Sequence, residues 1–322
     1  MKLSFRVVAQ SALTAIFGFA VVRFISSGQE SFQFLANTDW FVLLPVFALG
    51  IGTFALSALR FQLVANGASH QISFAESFRH VVIARFLNKL IPQSGWVFKA
   101  RAMRQSKGMK LGEFASTFGA FVWLDLLMTT VVATVLLLIF DPGIEVENVK
   151  VLFLLLVLLA FEVIITVMAL VVPSPKMEEG GFSPISDLIR RTAKMVQDLM
   201  ALVANRRLSQ GGAVIILVGI LVSVVRMNLL FAMVGVHPGI VPLALFVAVN
   251  RLSNIVVITP GNVGIVEALF GVLAASLGIG GAQGVAVALV LRGSVLLTLA
   301  GLTLLLVASS KLRGLATTPG LG

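Results

Sequence analysis

The chain has 322 residues, of which 58% are hydrophobic and only 12% are charged. A soluble domain carries roughly a quarter charged residues, so this composition excludes a soluble globular protein and indicates an integral membrane protein. The formal net charge of +10 is typical of basic cytoplasmic loops and of contact with anionic lipid head groups, rather than of nucleic-acid binding. The sequence contains no cysteine, which excludes disulfides and thiolate metal sites.

Apolar segments long enough to cross a membrane, about 20 residues each, predict six transmembrane helices. They cover residues 4–25, 40–64, 113–140, 150–172, 213–236 and 282–308. Two further apolar segments, 74–106 and 240–277, are interrupted by proline and glycine, so that each half is too short to cross. The sequence therefore predicts an all-α polytopic membrane protein with about six transmembrane helices and two re-entrant helical hairpins, in a single membrane domain over residues 1–322.

The loops predict an orientation. Segments 26–39 and 141–149 carry acidic but no basic residues, whereas 99–110 and 173–212 are rich in Lys and Arg. Basic loops stay in the cytoplasm, so we expect both termini to be cytoplasmic in an inner membrane, with the two hairpins entering from opposite faces. Segment 173–212 is expected to be an amphipathic linker resting on the inner leaflet, or else a plain solvated connector.

The two interrupted regions resemble each other. LSALRFQLV matches VSVVRMNLL, and ARFLNKLI matches NRLSNIVV, both at an offset of 166 residues (226 − 60); PQSGWVFKA then matches PGNVGIVEA at an offset of 168 (260 − 92). The aligned positions include Arg60 with Arg226, Arg85 with Arg251, Asn88 with Asn254, Pro92 with Pro260 and Lys99 with Glu267. The sequence thus predicts two repeat units, 40–140 and 213–308, with the inverted topology of many secondary transporters.

Charged side chains at membrane depth are costly, and they normally face a protein interior or an aqueous cavity. The candidates within the repeats are Arg85, Lys99, Asp125, Arg251, Glu267 and Arg292, with Arg226 also deep and Arg60 nearer a helix end. Lys99 and Glu267 have opposite signs, as do Asp125 and Arg292 in the following spans. We therefore expect each hairpin to form an ion pair with the next span of its own unit, and these pairs serve either structure or coupling.

Arg85 and Arg251 have no aligned acidic partner, and each lies three residues before an asparagine, Asn88 or Asn254, on one helix face. We predict that the two guanidinium groups, with Arg226, bind an anion such as a phosphate. The breaks that follow would add helix N-termini to the site. In the second hairpin the break contains Pro260, Gly261, Asn262 and Gly264. Glycines that simply allow close helix packing are the alternative.

The run ITPGNVGIVEALFG, with Arg292 in the next span, resembles the P-G-x-x-G-x-x-E motif of the lysylphosphatidylglycerol-synthase transmembrane, or flippase-like, family. RFLNKLIPQSGWVFKARAMR resembles the other hairpin of that family, although Trp96 replaces its usual Glu and Lys99 its usual Arg. The resemblance covers nearly the whole chain. It implies a lipid-translocating membrane unit, which in some relatives accompanies an aminoacyltransferase domain or a glycosyltransferase; here we expect the membrane unit alone.

These observations favour a transporter that moves an anionic phospholipid or a lipid-linked phosphate between leaflets. We expect it not to be an enzyme and to need no cofactor, metal or catalytic residue. Membrane lipids are the expected partners, with a glycosyltransferase or lipid-modifying enzyme as a further candidate. Three alternatives remain open at this stage: a membrane-embedded enzyme acting on a lipid phosphate or glycolipid, a scaffold that recruits a glycosyltransferase through 173–212, and a transporter of a small soluble anion.

Overall fold

The computed structural model describes residues 40–91, 93–141, 143–146, 149–171, 206–255 and 262–316. Within these ranges the chain forms nine α-helices, one turn of 3₁₀-helix and a small two-stranded sheet. The predicted first span, 4–25, lies outside the described residues, as do Pro92, Pro260, Gly261 and most of the predicted linker. The last residues of that linker belong to a helix that begins at Arg206.

The helices form two groups of four, which we call the first unit and the second unit. The first unit contains α1 (Leu43–Gly67), α2 (Phe74–Leu90), α3 (Ser94–Lys107) and α4 (Leu111–Phe140). The second unit contains α6 (Arg206–Met233), α7 (Ile240–Ile255), α8 (Ile265–Ser276) and α9 (Gly281–Ala316). Between them, strands β1 (Glu145–Val146) and β2 (Val149–Lys150) pair antiparallel and lead into α5 (Val151–Val171).

Four of the described helices are long and apolar enough to cross a membrane: α1, α4, α6 and α9. The apolar part of α5, Val151–Val167, is shorter. At a rise of about 1.5 Å per residue, the 17 residues of α2 and the 14 of α3 are too short to cross alone. The same holds for the 16 residues of α7 and the 12 of α8.

Local sequence explains where the first pair of short helices begins and ends. The side chain of Ser73 caps α2 by accepting a hydrogen bond from the backbone N–H of Glu76, at 3.2 Å. The helix stops at Leu90 because Ile91 precedes a proline and is extended. Helix α3 ends at Lys107, and the left-handed backbone of the next residue, Gly108, lets its N–H bond back to the carbonyls of the last turn.

Aromatic side chains join the helices of each unit internally. In the first unit Phe61 of α1 stacks on Phe118 of α4, with ring centroids 4.8 Å apart. In the second unit, Phe246 of α7 lies 4.7 Å from Phe231 of α6 and 5.1 Å from Phe270 of α8. Elsewhere α5 and α9 present exposed Phe, Leu and Ile side chains. An apolar surface of this extent is typical of contact with lipid.

The packing between the units is reciprocal. The first helices of the two units, α1 and α6, pack against each other. The last helix of the first unit, α4, packs on α7 of the second unit, and the last helix of the second unit, α9, packs on α2 of the first. Each short helix that begins a pair therefore contacts the other unit, so side chains from both units meet at the same place.

Candidate functional site: a charged cluster shared by the two units

Asp125, in the middle of α4, forms two ion pairs. Its Oδ2 lies 2.9 Å from Nη1 of Arg60 on α1, and its Oδ1 lies 2.6 Å from Nη1 of Arg251 on α7. The expectation that Arg251 lacks an acidic partner was therefore wrong. The error arose because the partner belongs to the other unit: α4 packs on α7, which brings together residues 126 positions apart in sequence.

Lys99 does not pair with Asp125, so the ion pair expected within the first unit is absent from the structure. Its Nζ lies over the rings of Phe61 and Trp96, 5.4 Å and 5.2 Å from their centroids. A cation above an aromatic face is stabilised by the ring quadrupole, but its charge is not neutralised. The physical reason for the error is that Arg60 and Arg251 already occupy both carboxylate oxygens of Asp125.

In the second unit, the expected pair within the unit is present. Nε of Arg292 lies 2.8 Å from Oε1 of Glu267, which is almost fully buried. Glu267 also accepts a hydrogen bond from the backbone N–H of Gly264, at 2.8 Å, and Arg292 donates to the carbonyl of Asn262, at 2.9 Å. This pair thereby fixes the chain where the second short helix, α8, begins.

Near these ion pairs, Arg85 and Arg226 have no carboxylate within ion-pair distance in the described part of the chain. Arg85 of α2 donates to the hydroxyl of Ser57, at 3.1 Å, and its guanidinium lies 5.6 Å from the centre of the Phe54 ring. Its side chain is exposed. Arg226 of α6 is only 6% exposed, donates to the hydroxyl of Ser294 at 2.8 Å, and has a buried Nε without a hydrogen-bond partner.

These residues form one electrostatic group. Arg85 interacts with Arg60, Asp125 and Arg251, and Arg226 and Lys99 each interact with Arg85. We define the charged cluster as seven cations and two carboxylates among the described residues: Arg60, Arg85, Lys89, Lys99, Arg226, Arg251 and Arg292, with Asp125 and Glu267. Its formal charge is therefore strongly positive, in a part of the protein where each cation is costly.

Sequence reasoning missed Lys89, which interacts electrostatically with Arg85, Arg292 and Glu267. The repeat aligns it with Ile255, so a search for matched polar positions passed over it. Arg60 was placed near a helix end, whereas it is a direct partner of Asp125. The usable signal was the charge itself, because any lysine in an apolar segment needs an explanation.

The asparagines of the predicted anion site have other contacts. Asn88 accepts a hydrogen bond from the backbone N–H of Gly95 at 2.7 Å, and so caps α3. The N–H groups of the next two residues both bond to the carbonyl of Gln93, so this helix N-terminus has no free donors for a ligand, contrary to expectation. Asn254 is exposed and bonds within its own helix, to the carbonyl of Asn250.

Close packing of α2 and α3 explains why residue 95 is a glycine. A Cβ at Gly95 would lie 2.1 Å from the carbonyl oxygen of Ala84, so only glycine permits α3 to approach α2 so closely. Gly264 instead has a positive φ of 84°, which favours glycine where the chain enters α8. Asn262 also has a positive φ and bonds through its amide to the carbonyl of Ser253.

Four apolar helices long enough to cross a membrane, two pairs of short helices and an internal charged cluster define a polytopic membrane protein. The chain belongs to the family described as the lysylphosphatidylglycerol synthase TM region, whose model matches residues 7–305. No curated protein and no solved structure matches the chain significantly. Among the described residues, no group of three or more His, Asp or Glu side chains is arranged to hold a metal ion.

Proposed function

We propose that the protein moves an anionic phospholipid, or a lipid-linked phosphate, between the leaflets of a cytoplasmic membrane. The observation that carries this proposal is the excess of positive charge in the charged cluster, together with an exposed arginine, Arg85, that no carboxylate of the described chain neutralises. Like charges held together at membrane depth repel one another. An anionic group from outside the protein would relieve that repulsion.

The guanidinium of Arg85 is the proposed contact for the phosphate. It is accessible, and its planar fork matches phosphate oxygens in a bidentate geometry. Lys99 and Arg226 lie within electrostatic range and add attraction without making an ion pair of their own in the described chain. Arg251, which the sequence suggested as the other half of an anion clamp, is assigned instead to Asp125. The lipid tails would remain in the bilayer.

The second part of the proposal concerns movement. The reciprocal packing of α4 on α7 and of α9 on α2 supports an inverted repeat in which the short-helix pairs are re-entrant hairpins that enter from opposite faces. Asp125 connects α1 and α4 of the first unit to α7 of the second, so relative motion of the units would exchange its partners. The sequence has no ATP-binding motif, and transport would be downhill or coupled to an ion, with Asp125 and Glu267 as candidate proton carriers.

The test is lipid translocation by the full chain reconstituted in phosphatidylcholine vesicles, measured as loss of head-group fluorescence to a membrane-impermeant reductant. We expect movement of labelled phosphatidylglycerol, faster than that of labelled phosphatidylcholine, with the lipid recovered chemically unchanged. Arg85→Gln should slow it about tenfold or more, because hydrogen bonds to charged groups contribute about 1.5–3 kcal/mol.

Lys150→Gln is the matched control, because Lys150 is an exposed cation on β2 outside the charged cluster. This variant should transport at the unaltered rate. Equal translocation rates for the Arg85→Gln protein and the parent would contradict the proposed contact between Arg85 and the phosphate. A chemically modified lipid in the extract would favour a membrane-embedded enzyme instead.

A further inference from the structure

A groove lies along the first pair of short helices, and none of its lining residues belongs to the charged cluster. It has a volume of about 600 Å³ and is lined on the α2 side by Leu87 and Ile91. On α3 its lining residues recur every three or four positions, which places them on one face of the helix. These α3 residues are Ser94, Val97, Phe98, Arg101, Ala102 and Gln105. The volume lies in the range of ligand sites, roughly 300–1,000 Å³.

The two ends of the groove differ in chemistry. Near the tip of the pair, the apolar side chains of Ile91 and Val97 are each more than half exposed, and the polar Gln93 and Ser94 line the turn between the helices. The other end is basic: a second hollow of about 400 Å³ is lined by Arg101, Arg104 and Gln105, two of which also line the groove. The groove and the hollow therefore form one continuous surface that changes from apolar to cationic along α3.

Arg101 and Arg104 are free to meet an external anion. Both are exposed, and neither forms an ion pair among the described residues. Their neighbour Lys107, by contrast, lies 3.3 Å from the carboxylate of Glu76. Basic side chains in the last turn of a helix are favoured by its dipole, which explains a positive charge at this end. The helix dipole does not explain the apolar groove that extends from this basic end.

The dimensions fit one occupant. From Ser94 to Gln105 the groove extends about 16 Å along α3 at the helical rise, which is about half the thickness of the hydrocarbon core, and so one leaflet. We propose that this surface is a binding site for one anionic phospholipid of the leaflet at which α3 ends. Its phosphate lies between Arg101 and Arg104, and an acyl chain lies along Val97, Leu87 and Ile91. The site is separate from the phosphate contact at Arg85, and it stands whether or not the lipid is transported.

The experiment measures binding of a lipid in the groove and not its movement between leaflets. Because the chain has no cysteine, Val97→Cys supplies a single thiol that can be labelled with a fluorophore in the groove. The labelled full chain is placed in nanodiscs of phosphatidylcholine containing a minor fraction of bromine-labelled lipid, which quenches on contact. We expect brominated phosphatidylglycerol to quench with about thirtyfold higher apparent affinity than brominated phosphatidylcholine, since each of the two arginines near an anionic head group contributes about 1 kcal/mol.

The variants distinguish specific lipid binding in the groove from a general attraction between basic residues and anionic lipids. Arg101→Gln with Arg104→Gln should abolish the preference for phosphatidylglycerol, whereas Lys110→Gln with Lys150→Gln, which removes the same charge from two other exposed positions, should retain it. Leu297→Cys on the exposed face of α9 should show no preference. Equal quenching by both lipids at position 97, or a preference that survives the double arginine substitution, would overturn the proposal.

Discussion

In the two units the acidic and basic residues exchange places between the short-helix pair and the last helix. This difference explains most of the ion pairs in the charged cluster. In the second unit the acid is on the short-helix pair and the cation is on the last helix, and Glu267 and Arg292 pair with each other. In the first unit the acid is on the last helix, where Asp125 pairs with Arg60 and with Arg251 of the other unit. The carboxylate of the second unit therefore pairs within its own unit, whereas the carboxylate of the first unit pairs with both units.

The same difference leaves two arginines of the charged cluster, Arg226 and Arg85, without an acidic partner among the described residues. Arg226 aligns with Arg60, and the position that aligns with Asp125 is Arg292, a cation, so Arg226 has no equivalent partner there. Likewise Arg85 aligns with Arg251, but α9 offers it Arg292 where α4 offers Arg251 an aspartate. Because the second repeat has Arg292 where the first has Asp125, neither Arg226 nor Arg85 has the acidic partner that its aligned arginine has. This arrangement supports the proposed binding of an anion by the charged cluster.

Breaking the ion pair of the second unit should have the largest effect on stability. Glu267→Gln leaves the partly buried Arg292 without its carboxylate, which we expect to lower the free energy of unfolding by about 3–5 kcal/mol. The measurement is unfolding in mixed detergent micelles. The double variant Glu267→Gln with Arg292→Met should recover most of the loss. A single variant as stable as the parent would contradict the ion pair.

Removing the shared acid of the first unit should cost less, because Asp125 and its partners are each about a fifth to a third exposed. We expect Asp125→Asn to destabilise the protein by about 2–3 kcal/mol. Double-mutant cycles with Arg60→Gln and Arg251→Gln then measure each coupling separately, at about 0.5–3 kcal/mol for residues in contact. A zero coupling to Arg251 would show that Asp125 does not join the units.

The close approach of α2 and α3 gives a test of the first unit that involves no charge. Gly95→Ala should cost about 1–3 kcal/mol, because its Cβ meets a backbone carbonyl and overpacking forces the helices apart. Gly112→Ala on α4 is the matched control, since nothing lies within 4 Å of its Cβ. That control should be neutral or slightly stabilising. Equal effects at both glycines would contradict the close contact between the two helices.

Of these substitutions, Arg226→Met should change the free energy of unfolding least, because Arg226, unlike Arg292, has no carboxylate partner among the described residues. A buried guanidinium without a carboxylate carries a desolvation cost that one hydrogen bond to Ser294 does not offset. We therefore expect the free energy of unfolding to change by less than about 1 kcal/mol, or to increase. Unfolding in the same micelles provides the measurement, and a loss as large as that of Glu267→Gln would indicate that Arg226 has a strong partner.

Much of the helical architecture follows from the sequence alone. The prediction of a helix over 113–140 matches α4. The predicted interruption of segment 74–106 by proline matches the end of α2 at Leu90, because proline and its preceding residue cannot continue a helix. The Glu267–Arg292 pair was also predictable, since both residues belong to neighbouring helices of one unit. The inverted topology and the re-entrant course of the hairpins remain predictions.

The partners of Asp125 were not predictable from the repeat. Internal similarity shows which positions correspond, but it does not show which unit a side chain faces, and Arg251 reaches Asp125 only because α7 packs on α4. Asn88 shows the same limit on a local scale. Its spacing from Arg85 suggested a shared ligand face, whereas its amide is used to cap the next helix.

The most direct test of anion binding by the charged cluster is an experimental density map of the protein in nanodiscs that contain phosphatidylglycerol. We predict density for a phosphate within hydrogen-bond distance of the guanidinium of Arg85, with Asp125 still bound to Arg60 and Arg251. A carboxylate of the chain itself paired with Arg85, from any residue outside the described ranges, would contradict this prediction, because the cluster would then be neutralised without a lipid.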